Sequence, residues 1–226
     1  MRILAIIPAR GGSRGIPNKN IKALASRPLI AYSIDVAREI VSDEDICLST
    51  DSNEIAAVAS RCGLAVPFIR PAALAGDSSG TVGVLLHALD FYRQQGKEYD
   101  VILLLQPTSP FRTAEHVRQA LALFNATTDM VVSVKASSSA SVLCLEDEHG
   151  YVHNVFNASH SPRQECASFW EYNGAIYVIS VPKLLSARSL AFDHIVKYEM
   201  PVESSLDLDT MLDWSIAEMV ISGGVR

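Results

Sequence analysis

Along this chain, short apolar runs alternate with segments of helical period. The run 101–105, Val-Ile-Leu-Leu-Leu, has no polar alternation, the mark of a strand covered on both faces. Runs at 2–8, 45–49, 65–69 and 130–134 read as further strands. Between them, 29–38 (after Pro28), 53–61, 82–95 and 115–124 carry apolar residues at helical spacing. Asp51 or Ser52 can cap the second of these helices, and Gly63 stops it. Strand and helix in this rhythm make right-handed βαβ units, and so a single, mostly parallel central sheet with flanking helices.

The second half changes character. Segments 141–145 and 151–156 flank the acidic turn 146–150 and read as a hairpin projecting from the sheet. Strands are expected at 172–179 and 194–200, with an alternating stretch at 206–209 before a final helix over 210–220 that contains Trp214. No repeat or linker divides the chain, so residues 1–226 read as one α/β domain. In such folds ligands collect beyond the carboxyl ends of the strands. The loops starting at Pro8, Thr50, Arg70 and Gln106 are therefore expected to face one crevice.

Composition narrows the function. With 226 residues, 49% of them hydrophobic, the chain can bury a sizeable core. A net charge of −6 argues against nucleic acid as a general partner, so clustered cations mark a local site. The N-terminal apolar run is too short to span a membrane, and a cytoplasmic protein is expected. Cys47, Cys62, Cys144 and Cys166 form no C-x-x-C pair and read as buried free thiols. His149 and His153 fall on the hairpin, too far apart to share zinc.

Two stretches carry chemistry. The first strand empties into Pro8-Ala9-Arg10-Gly11-Gly12-Ser13-Arg14-Gly15-Ile16-Pro17-Asn18-Lys19-Asn20. Gly11, Gly12 and Gly15 allow close backbone approach with N–H groups turned into one concavity, and Arg10, Arg14 and Lys19 surround it with the charge a polyphosphate needs. Neither a Walker loop nor a dinucleotide loop has this spacing. A glycine-rich turn with solvated cations is the plain alternative. The second stretch is Asp207-Leu208-Asp209. On an extended strand the two carboxylates share a face, about 7 Å apart, and could hold Mg²⁺, or they could simply be exposed acids before a helix with Asp209 as its cap. The prolines of 106–112, Gln-Pro-Thr-Ser-Pro-Phe-Arg, stiffen a loop in which Gln106 can donate and accept hydrogen bonds. Asp51 reads as a cap before a catalytic group.

The first loop resembles the P-A-R-G-G-S-K/R-G-I-P-x-K-N signature of the CMP-sialic acid synthetase (acylneuraminate cytidylyltransferase) family, with Arg14 where lysine is usual. Four further motifs follow in the family's order. Asp207-Leu208-Asp209-Thr210, with Asp213-Trp214, matches its metal-binding segment, which implies Mg²⁺ (or Mn²⁺) on Asp207 and Asp209. The resemblance places Ser13 and Asn20 with the nucleotide-binding loop, and Arg70, Ser79 and Thr81 where the pyrimidine is read. It places Gln106, Arg163, Asn173 and Tyr177 on the sugar side, with Lys135 near them. It also implies that 136–172 is the dimerisation arm of a homodimer, bringing Arg163 to the partner's crevice.

What the resemblance implies is transfer of CMP from CTP to the anomeric hydroxyl of a nine-carbon 2-keto sugar acid, with pyrophosphate released; no Ser/His/Asp or Cys/His set is placed to indicate a covalent intermediate. The activated sugar would serve lipopolysaccharide or capsule synthesis. Arg10, Lys19, Asp207 and Asp209 would be the catalytic set. N-acetylneuraminic, legionaminic and pseudaminic acids fit equally. Rival readings are a D-x-D glycosyltransferase, which the cationic first loop opposes, and a nucleotide-binding module without turnover.

Overall fold

The computed structural model describes residues 1–13, 15–74, 80–137, 143–155 and 169–223. Strands among them are β1 (Ile3–Pro8), β2 (Ala23–Leu24), β3 (Arg27–Pro28), β4 (Ile46–Ser49), β5 (Val101–Leu105), β6 (Met130–Ser137), β7 (Cys144–Glu146), β8 (Val152–Asn154), β9 (Phe169–Ser180) and β10 (Ile195–Glu199). Helices are α1 (Leu29–Arg38), α2 (Asn53–Arg61), α3 (Thr81–Gln94), α4 (Ala114–Ala122), α5 (Val181–Ala187) and α6 (Met211–Ile221).

Six strands form one sheet in the order β10-β6-β9-β5-β1-β4. β1 runs parallel to β4 and β5, and β10 parallel to β6. β9 alone is reversed, pairing antiparallel with β5 on one side and β6 on the other. The sheet is mostly parallel, as the pattern predicts. Its one exception was not legible from the apolar run.

Successive residues of each strand feed opposite faces. Ala5, Ile7, Leu103 and Leu105 pack against Ile30 and Ile34 of α1, Ile55 and Val58 of α2, and Val117 of α4. Leu4, Ile6, Ile102 and Leu104 pack on the other side against Leu85 and Leu89 of α3 and Leu184 of α5. Burying each of the leucine, isoleucine and valine side chains among them contributes up to about 1.5–3 kcal/mol of transfer free energy. A third, smaller cluster joins the two ends of the chain: Ile16 of the first loop, Leu24, Leu29 and Leu208 meet Trp214 and Ala217 of α6. This cluster positions the site.

Some expected elements differ. Segment 65–69 forms no strand; Pro67 supplies no N–H, and pairing shrinks to a single parallel bridge between Ile69 and Thr50. The stretch around 206–209 forms no strand and joins no sheet. α5 follows β9 without a loop and was not anticipated. The hairpin is present as β7 and β8, a two-stranded sheet separate from the main one, with Leu145, Tyr151 and Val152 exposed. Cys144 is exposed there, contrary to the expected burial, whereas Cys47 is buried and Cys62 half-buried. Cys166 lies outside the described residues. Among the described residues no helix is long and apolar enough to cross a membrane.

Candidate active site

A cleft of about 570 Å³ opens beyond the carboxyl ends of β1 and β5. It collects Arg10, Ser13, Lys19 and Asn20 from the first loop, Arg70 and Thr81 from the segments around α3, Gln106, and both Asp207 and Asp209. The loops starting at Pro8, Arg70 and Gln106 meet there as the topology predicts. The loop after Thr50 stands behind them.

In the first loop, Asn18 adopts a left-handed conformation (φ 52°) that begins a short 3-10 turn over Lys19–Ile21. That turn aims Lys19 across the cleft, where its ammonium donates to Leu208 O (2.7 Å) and pairs with Asp209 Oδ1 (3.1 Å). Asn20 is buried and donates from Nδ2 to Arg10 O (2.9 Å), latching the start of the loop to its end. The approach is close: a Cβ added at Gly15 would lie 2.2 Å from Asp209 O, so only glycine fits. Gly11 and Gly12 do not line the cleft. The Gly11 N–H, expected to face phosphate, is instead spent on Asp51 Oδ1 (2.9 Å).

Asp51 is not the cap of α2. Ser52 takes that role, its hydroxyl accepting from Ile55 N. Asp51 pairs with Arg70 (3.3 Å), whose side chain is buried. Burial pulls the Arg70 pKa down most, the Asp51 charge and hydrogen bond oppose it, and nearby Arg10 adds to the depression.

The two aspartates flank Leu208, which is fully buried in the cluster of Ile16 and Trp214. Leu208 N donates to Thr108 O (2.9 Å), fixing the segment to the loop after β5. Asp213 bonds the main-chain N–H groups of Asp209 (3.1 Å) and Thr210 (2.7 Å), while Thr210 caps α6. Asp209 therefore does not cap the helix. Burial raises the Asp207 pKa, a hydrogen bond from Thr108 opposes the rise, and the Asp209 charge adds to it. Asp207 Oδ1 is buried with no hydrogen-bond partner, an acceptor that a cation in the cleft would satisfy. Two carboxylates, one of them with an unpartnered oxygen, suit a hard divalent cation completed by phosphate oxygens and water. Among the described residues no cluster of three or more His, Cys, Asp or Glu forms a self-contained metal site.

Behind Gln106, the Arg112 guanidinium is buried and donates to Gln106 O (3.1 Å), Ala175 O (2.8 Å) and Ser33 Oγ (2.6 Å). Burial lowers its pKa to about 9. Asn173, expected at the sugar, is not at the cleft. It is buried, accepting from Ser133 Oγ (2.6 Å) and Ala175 N (3.2 Å) and donating to Ser205 Oγ (2.9 Å). It stitches the irregularity between β6 and β9 at Val132–Val134. The next residue, Gly174, has φ +73°, and a Cβ there would come within 3.7 Å of Asp207 Oδ2. Tyr177 is half-buried in the strand, outside the cleft lining, with its pKa raised mainly by burial. Lys135 pairs with Glu171 (2.7 Å) across the β6–β9 ladder, likewise outside the lining. Arg14, Ser79 and Arg163 lie outside the described residues.

Sequence reasoning missed the roles of Asp51, Thr108 and Arg112. The last two stand in the quoted 106–112 loop, where a hydroxyl and a cation among prolines were the available signal.

The sequence matches a family described as cytidylyltransferase over residues 4–164. It is 35% identical over 225 residues to a CMP-N,N'-diacetyllegionaminic acid synthase from Legionella pneumophila, covering 98% of this chain and 97% of that one. It is 34% identical over 220 residues to an N-acylneuraminate cytidylyltransferase from Escherichia coli, covering 96% of this chain but 51% of that protein, so it spans about half the length of this relative. A pseudaminic acid cytidylyltransferase from Campylobacter jejuni is 30% identical over 224 residues, with 97% and 96% covered. The fold is similar to that of CMP:2-keto-3-deoxy-manno-octonic acid synthetase complexed with CTP, at a TM-score of 0.73, 15% identity and full coverage of both chains.

Proposed function

This chain belongs to the cytidylyltransferase family, and from that premise we propose that it transfers CMP from CTP to the anomeric hydroxyl of a nine-carbon 2-keto sugar acid. The observation that carries the reading is the meeting, in one cleft, of the cationic glycine-rich loop with Asp207 and Asp209. Full-length relatives that act on legionaminic and pseudaminic acids support the class of acceptor.

In this reading Arg10 and Lys19 lie along the triphosphate and neutralise charge that grows on the α-phosphate and on the leaving pyrophosphate. Preorganised charge of this kind is the main means of catalysis in phosphoryl and nucleotidyl transfer. Arg70 and Thr81 face the cytosine, with Ser79 assigned beside them, and Ser13, Arg14 and Asn20 complete the nucleotide loop. Gln106 orients the sugar acid. The acid's 2-hydroxyl oxygen then bonds to the α-phosphorus, its proton passing to solvent water, while the bond to the bridging oxygen breaks in line, releasing pyrophosphate. Asp207 and Asp209 would hold Mg²⁺ (or Mn²⁺), which when bound supplies Lewis-acid charge and lowers the pKa of the attacking hydroxyl.

We further assign the working unit as a homodimer whose arms are the 136–172 segments, with Arg163 reaching the partner's crevice. The exposed apolar side chains on β7 and β8 support this, because a lone two-stranded ribbon is marginal in water and needs a surface to bury against.

The test is release of pyrophosphate from CTP and Mg²⁺ with a panel of N-acetylneuraminic, legionaminic and pseudaminic acids. Release with at least one acid, and a CMP-sugar of matching mass, is expected. No release with any of them removes the reading.

A further inference from the structure

We propose that Asp51 is a positioning residue that ties the base side and the phosphate side of the cleft to one carboxylate oxygen. The inference rests on the cytidylyltransferase reading. Asp51 Oδ1 accepts both from Gly11 N (2.9 Å) and from the Arg70 guanidinium (3.3 Å). The two donors come from loops assigned to different parts of the nucleotide. Gly11 follows Arg10 in the loop that also carries Lys19, and Arg70 follows the bridge between Ile69 and Thr50.

The surroundings show why one oxygen matters. Arg70 has only 3% of its side chain exposed, and its Nε is buried with no hydrogen-bond partner, so the Asp51 bond governs where the guanidinium points. A buried cation without a nearby anion is costly, and the nearby Arg10 repels this one. The backbone of Thr50 holds Arg70 N (2.7 Å), which fixes the main chain but leaves the side chain to Asp51. On the other side the first loop rests directly on this corner. A Cβ added at Gly11 would lie 3.4 Å from Ser52 Cβ and 3.6 Å from Asp51 Oδ2. With Ser52 capping α2, Asp51 has no structural duty to that helix.

Two fragments of the nucleotide read the two sides separately. CMP reports on Arg70 and pyrophosphate on the loop. Calorimetric binding of CTP, CMP and inorganic pyrophosphate, each with Mg²⁺ and no sugar acid, is measured on wild type, Asp51→Ala and Asp51→Asn, with melting temperature alongside. Asp51→Ala is expected to weaken CMP and pyrophosphate by about tenfold or more each, the loss of a hydrogen bond to a charged group. Asp51→Asn keeps an oxygen for the Gly11 N–H but drops the charge on Arg70. It should hold pyrophosphate within roughly threefold of wild type while CMP weakens by about tenfold. A purely structural role would lower the melting temperature and leave these affinities alone. Unchanged CMP affinity in either folded variant, or unchanged pyrophosphate affinity in folded Asp51→Ala, overturns the proposal, and the CMP affinity of Asp51→Asn decides if Asp51→Ala does not fold. Wild-type protein that binds no CTP removes the cytidylyltransferase reading instead, a result distinct from the variants failing to differ.

Discussion

Lys19 and Asp209 stand 190 residues apart in sequence and 3.1 Å apart in space, one cation of the glycine-rich loop against one carboxylate of the D-x-D segment. Their pairing aligns the two chemical halves of the cleft. Asp209 is largely exposed at its side chain (72%), so the pair contributes little to stability; exposed pairs are worth about 0–1 kcal/mol.

Lys19→Ala should therefore fold and melt near wild type while turnover falls by roughly 10²-fold or more, the effect of removing a preorganised charge worth about 3 kcal/mol. Steady-state pyrophosphate release, with a melting curve on the same sample, checks both halves of the statement. Wild-type turnover in the folded variant would deny Lys19 its place at the phosphates.

Gly15→Ala puts a methyl group 2.2 Å from the Asp209 carbonyl oxygen, well inside van der Waals contact. Loop and carboxylate segment must separate, a backbone displacement of the kind that costs about 1–3 kcal/mol. Turnover is expected to drop by about tenfold or more with the circular dichroism spectrum intact. A fully active Gly15→Ala enzyme would show that the contact is dispensable.

If the β7–β8 ribbon packs against a second copy, then Leu145→Asp with Val152→Asp, which charges both of its faces, should convert a dimer to a monomer in sedimentation at micromolar concentration. Both positions are exposed in the single chain (67% each), so the substitutions cost the isolated fold little. A wild-type protein that sediments as a monomer, and is active, rules the arrangement out.

Far from the cleft, Asp129 accepts from Lys183 (3.1 Å) and His194 (3.3 Å), and these bonds, Lys183 foremost, hold its pKa below the usual carboxylate value. A folded-state pKa below the unfolded one stabilises the protein above the unfolded value of about 4, and that contribution fades as pH falls through the folded value. Asp129→Asn should melt below wild type at pH 7, and the gap should close as the pH drops below about 4. A gap that persists or widens in acid would contradict the assignment.

Much of the fold could be read from apolar runs. Residues 101–105 are the doubly covered β5, and the segments of helical period coincide with α1 to α4 and α6 within a few residues. Direction was not legible. The strand around Ile176 and Val178 is as apolar as its neighbours, and nothing in a buried run says which way it points. The cleft residues were legible as types: cations after glycines, paired acids, a glutamine between prolines. Their partners were not. Gly11 looked like a phosphate donor, yet it bonds Asp51, and Asn173 looked polar enough to meet a sugar, yet it closes the interior beside Ser133. Such pairings join residues 40 apart in sequence, and only the folded topology brings them together.

The reversed strand also dictates a timetable. On the ribosome β1, β4 and β5 emerge early and can pair with one another at once, but β6 has no neighbour in that group. Its place in the sheet is held open for β9, made after it and lying between it and β5. Until β9 is synthesised the β5 edge stays bare, and such an edge invites pairing with other chains. The Asp207 segment, which packs beside Gly174 of β9, comes later still. Nascent chains stalled before β9 should thus be protease-sensitive and inactive, and activity should arise only when the C-terminal segment is released.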